Sequence, residues 1–76
     1  MSTLSARSED YLKTIYKLQA ERKVVRVKDL AQTLGVRSPT VVGVISGLKD
    51  SGYVDQEHYG YISLTKEGED IAGTLV

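Results

Sequence analysis

The stretch Leu30-Ala31-Gln32-Thr33-Leu34-Gly35-Val36-Arg37-Ser38-Pro39-Thr40-Val41 decides the fold. Upstream of Gly35, Leu30, Ala31 and Leu34 share one side of a helix that begins near Lys28. Glycine at the C-terminal boundary takes a positive φ without a Cβ clash and stops that helix. Ser38-Pro39 then restarts one: a hydroxyl residue suits the N-cap, and the amide that proline lacks is unsatisfied in a first turn in any case. Val41, Val44, Ile45 and Leu48 give the second helix its buried stripe, and Ser51-Gly52 ends it. Two helices joined by the three residues Gly35-Val36-Arg37, with the small Ala31 where the backbones approach, predict a helix-turn-helix.

Working outward, Tyr11, Leu12, Ile15, Tyr16, Leu18 and Gln19 recur at helical spacing, which predicts a helix over residues 8–21 with Ser8 as its cap. Val24-Val25-Arg26-Val27 is β-branched and short, a connector or minimal strand. Downstream, Tyr53-Val54-Asp55-Gln56-Glu57 and Tyr61-Ile62-Ser63-Leu64 flank His58-Tyr59-Gly60 and predict a β-hairpin. Thr65 caps a last helical segment carrying Ile71, Ala72 and Leu75. The expected fold is mainly α with a small hairpin: a winged helix-turn-helix over residues 1–76, with the start of a further C-terminal helix. Helical spacing that still holds at Val76 is the expectation for a domain excised from a longer protein.

Length and composition bound the function classes. The 76 residues contain no cysteine, one histidine and ten basic against ten acidic side chains. One small core is all such a chain builds. No apolar run approaches the ~18 residues of a membrane helix, and the N-terminus lacks a secretory apolar stretch; a cytoplasmic location is expected. Phosphate-loop and metalloprotease motifs are absent, thiol chemistry has no residue to use, and no spacing sets a base beside a nucleophile, so an enzyme is not expected.

The zero net charge hides an asymmetry. Residues 1–49 carry nine of the ten Lys and Arg against four acids, a net of +5, and residues 50–76 carry −5. A basic front suits an anionic partner if folding keeps the halves apart. In a winged helix-turn-helix the second helix presents its N-terminal turn to the DNA major groove. The residues expected on double-stranded DNA are therefore Arg26, Lys28, Arg37, Ser38, Pro39, Thr40, Val42, Gly43, Lys49 and, in the hairpin turn, Tyr59. Arg26, Lys28, Arg37 and Lys49 would supply charge-assisted phosphate contacts. The second helix has no Gln, Asn or Arg for bidentate base contacts, so direct readout is expected to be poor. Val42 and the Thr40 methyl suit thymine methyl groups, and Arg37 suits a guanine edge. Gly43 and Gly47 read two ways, as close approach to DNA or as close packing against a neighbour within the fold. Asp55 and Glu57 are acids where phosphate-binding wings carry bases, unless they turn toward the protein. His58 reads as a solvated turn residue. A protein-interaction winged helix using the face from Val42 to Gly47 is the alternative from another class.

Taken together, Ser8-Glu9-Asp10-Tyr11-Leu12, Thr14-Ile15-Tyr16-Lys17-Leu18, Arg26-Val27-Lys28-Asp29-Leu30-Ala31, Ser38-Pro39-Thr40-Val41, Gly52-Tyr53-Val54 and Leu64-Thr65-Lys66-Glu67-Gly68 resemble the N-terminal winged-helix domain of iron- and manganese-dependent transcriptional regulators of the diphtheria-toxin-repressor type. The resemblance covers essentially the whole chain. It implies a homodimeric regulator, a repressor of metal-homeostasis genes, that binds a palindromic operator under control of Fe²⁺ or Mn²⁺. It places one metal ligand at Asp10, where an acid is also what a helix dipole favours. Manganese-selective members carry a second acid one turn later, at the position of Lys13 here. The family's other ligands and its dimerisation helices lie beyond this length, so tight metal binding by these 76 residues alone is not expected.

Overall fold

Each helix boundary can be traced to a particular hydrogen bond in the computed structural model, which describes residues 4–22, 24–57 and 60–76. The order is α1 (Ala6–Glu21), α2 (Val27–Leu34), α3 (Ser38–Asp50), β1 (Val54–Gln56), β2 (Ile62–Leu64) and α4 (Lys66–Leu75). Helix α1 begins earlier than its apolar spacing indicates, because Ser5 and not Ser8 is the cap: the Ser8 amide donates to Ser5 Oγ at 3.1 Å. Ser8 then sits inside the first turn, where its own hydroxyl accepts from that of Ser5.

At α2 the Asp29 carboxylate reaches back to accept the Arg26 amide at 2.9 Å, closing the entry to the helix. Gly35 ends it in the left-handed conformation, φ 68°, with its amide on the Ala31 carbonyl. The residue before α3 is a second correction. Arg37 rather than Ser38 is the N-cap, since its carbonyl accepts the amides of Thr40 and Val41 at 3.0 and 3.2 Å. Ser38 and Pro39 are thus the first two helical residues, with proline one place further in than expected, still where no intrahelical amide is required. At the far end Gly52, φ 86°, and Tyr53 return amides to Lys49 and Leu48.

The hairpin pairs Val54 with Leu64, Asp55 with Ser63 and Gln56 with Ile62 in antiparallel register. The β-branched connector contributes a single bridge residue: the Ile62 amide donates to the Val25 carbonyl at 2.7 Å. Gln19 Oε1 accepts the Leu64 amide, so α1 holds the inner strand as well as the helices. Thr65 caps α4 as expected, accepting from the Gly68 amide while its hydroxyl donates to the Gly52 carbonyl. The core draws on every element: Leu12 and Ile15 of α1, Leu30 of α2, Val41 and Ile45 of α3, Val54 of β1, Ile62 of β2 and Ala72 of α4 are essentially inaccessible. Burying each of the larger ones contributes roughly 1.5–3 kcal/mol, which compensates for the small size of the domain.

Candidate nucleic-acid interface

With Val41, Ile45 and Leu48 buried and Val44 packed partly against the core, the other side of α3 is left facing outward. Arg37, Ser38, Pro39, Thr40, Val42, Gly43, Ser46, Gly47 and Lys49 are all exposed. The outward side of the N-terminal half of α3 is therefore open to solvent. Lys28 on α2 and Arg37 and Lys49 at the two ends of α3 are exposed cations that form no ion pair with a described residue.

Arg26 is placed differently. Its guanidinium lies 5.1 Å over the ring of Tyr61 and donates to the Tyr61 hydroxyl at 3.2 Å. Next to it Arg22 Nη1 meets Asp29 Oδ1 at 2.9 Å, and Asp29 also holds the Arg26 amide. Arg22, Asp29, Arg26 and Tyr61 thus tie the start of α2 to the turn end of the hairpin strands. Arg26 stays exposed, but its guanidinium is already engaged by Tyr61. Sequence reasoning missed Arg22, Asp29 and Tyr61: an acid three residues after Arg26 is a local capping signal that could have marked Asp29, whereas the Arg26–Tyr61 contact joins positions 35 residues apart and has none.

The two glycines of α3 settle one alternative. A Cβ at Gly43 or Gly47 would meet nothing within 4 Å, so neither packs against a neighbour inside the fold. They face an open groove of about 690 Å³ that separates α3 from the first turn of α1 and is lined by Arg7, Ser8 and Tyr53 among others. In the wing, Asp55 and Glu57 are exposed and do not turn inward, because Val54 takes the inward position of the alternating strand. Tyr59 and His58 lie outside the described residues.

Asp10 is exposed on the first half of α1, and the ammonium of Lys13 sits 3.5 Å from its carboxylate. Among the described residues there is no group of three His, Cys, Asp or Glu side chains placed to share a metal ion.

Residues 3–62 match the family described as "Iron dependent repressor, N-terminal DNA binding domain". Among curated proteins, the chain is 35% identical over 68 residues to the HTH-type transcriptional regulator MntR of Lysinibacillus sphaericus, covering 90% of this chain and 49% of that protein. To MntR of Shouchella clausii it is 38% identical, covering 90% and 48%. The chain thus spans about half the length of the curated relatives it matches. Among solved structures, T. acidophilum IdeR superposes with a TM-score of 0.81 at 25% identity, over 95% of this chain and 33% of that one. MepR of Staphylococcus aureus, a transcription regulator of a multidrug efflux pump, superposes at 0.83 over 95% and 54%; at 19% identity this shows the shared winged-helix fold alone.

Proposed function

We propose, from the premise that this chain belongs to the iron-dependent repressors and corresponds to their N-terminal DNA-binding domain, that it docks α3 into the major groove of double-stranded DNA. The observation that carries the reading is the exposed start of α3, together with three exposed cations, Arg37 and Lys49 at the two ends of that helix and Lys28 on α2, that form no ion pair with a described residue. In this pose Lys28 and Lys49 neutralise phosphates on the groove walls, and the fork of Arg37 reaches a guanine edge or an adjacent phosphate. Ser38, Pro39, Thr40, Val42 and Gly43 form the surface laid into the groove. Arg26 contributes at the margin, with its guanidinium held by Tyr61; Tyr59 is proposed as a further contact to the sugar-phosphate edge from its place in the sequence alone.

The biological role that follows is repression of metal-homeostasis genes in the cytoplasm, by a longer protein that pairs two such domains on a palindromic operator. No described helix is long and apolar enough to cross a membrane. An iron or manganese ion does not fit the described residues. Asp10 offers one carboxylate, Lys13 already sits beside it, and a borderline divalent ion needs several oxygen or nitrogen donors converging on it. In a longer protein Asp10 would be one donor among several. The regulators described above lend no support to a protein-interaction module.

Fluorescence anisotropy of a labelled duplex titrated with the 76-residue chain tests the reading. Neutralising roughly three to four phosphates makes log K fall with log[salt] at a slope near −3. No binding at low salt, or binding indifferent to salt, would overturn it.

A further inference from the structure

We infer that Val42 is the base-reading side chain of α3, and that what it reads is the 5-methyl group of a thymine; the inference rests on the DNA-binding reading above. Val42 is 54% exposed, the most open large apolar side chain within any described helix. A solvent-facing valine has no value to the helix, because its β-branch restricts χ1 against the preceding turn. The same restriction holds its two methyl groups in one orientation, so presenting them to a partner loses little rotamer freedom.

The residues around Val42 limit what α3 can recognise. On its side of the helix lie Pro39 and Ser46, and next to it is Gly43, all exposed. Between Arg37 and Lys49 no side chain carries an amide or guanidinium to pair bidentately with a base edge. The hydroxyls of Thr40 and Ser46 suit any base or a phosphate and discriminate weakly. In the major groove the one apolar feature that distinguishes a natural base is the thymine methyl. A rigid, exposed isopropyl group on an otherwise short-chained face complements that feature and no other.

The test begins with duplexes recovered by the 76-residue chain from a randomised pool at low salt. Each thymine of one recovered duplex is then replaced singly by deoxyuridine, which removes only the methyl group, and affinities are measured by anisotropy. The expected result is a thymine position at which the replacement weakens binding about fourfold, the worth of one buried methyl-sized group. In Val42→Ala that position becomes indifferent to the methyl, and Val42→Thr keeps part of the response. Thermal unfolding of both variants, which alter only an exposed side chain, verifies that they are folded. Sensitivity that persists unchanged in Val42→Ala, or a bound duplex in which no thymine responds, overturns the role of Val42 and leaves DNA binding standing. Failure to recover any duplex overturns both.

Discussion

Two helices of this molecule carry glycines in their interiors, and the two sites differ in what surrounds them. In α4, a Cβ at Gly68 would run into the backbone carbonyl of Tyr53 and crowd Leu64, so the helix docks against the start of the hairpin only because that atom is missing. In α3, Cβ atoms at Gly43 and Gly47 would stand in open space. Glycine inside a helix costs about 1 kcal/mol relative to alanine. At Gly68 the loss is returned by close packing; at Gly43 and Gly47 no described residue returns it. A glycine that the packing requires is thus separable here from one that it does not by whether the space beside it is filled.

The largest expected effect is on the filled site. Gly68→Ala forces backbone against backbone and should lower stability by about 3 kcal/mol, the upper part of the range for overpacking. For a domain of this size that is a fall of more than about 10 °C in the thermal midpoint, readable by circular dichroism. A midpoint within a few degrees of the parent would erase the distinction between the two kinds of glycine.

The open sites should respond in the opposite sense. Gly43→Ala and Gly47→Ala should each raise stability by up to about 1 kcal/mol, near 4–8 °C, while weakening DNA binding severalfold, because a methyl group holds the helix back from the groove floor. Stabilisation with unchanged affinity would show that α3 does not approach DNA along that side.

Smaller and more local is the effect of the flanking charge. Lys28→Ala should weaken binding to all duplexes alike and flatten the salt slope by about 0.9, the signature of one lost phosphate contact. Arg37→Ala should instead narrow the gap between preferred and random duplexes. The smallest effect concerns metal: chelator or added Mn²⁺ should change the affinity of this chain by less than about twofold. Lys13→Glu sets a second acid one turn from Asp10, and weak Mn²⁺ binding should become detectable by electron paramagnetic resonance.

Much of the fold was legible because its punctuation is local. Gly35 needs a positive φ, Thr65 caps the amide three residues on, and Gly60 stands in the hairpin turn with φ 83°. The start of α1 was misplaced because Ser5 and Ser8 are both chemically able to cap; the choice depends on Ala6 and Arg7 joining the helix, where no apolar spacing marks them. At α3 the one-residue shift to Arg37 arose because proline is tolerated at either of the first two helical positions. The candidate interface was legible as a set of residue types, but its division of labour was not. That Arg26 is held by Tyr61, while Lys28, Arg37 and Lys49 form no ion pair with a described residue, follows from tertiary contacts. The same is true of the empty space beside Gly43 and Gly47.

The central claim, that the outward face of α3 is what meets DNA, is tested most directly by titrating a duplex into ¹⁵N-labelled protein and following the amide resonances. The largest shifts and broadening are expected on Ser38, Thr40, Val42, Gly43 and Gly47, with Lys28 beside them and α4 nearly silent. Perturbation concentrated on α4 or on Asp55 and Glu57, with the amides of α3 unmoved, would contradict it.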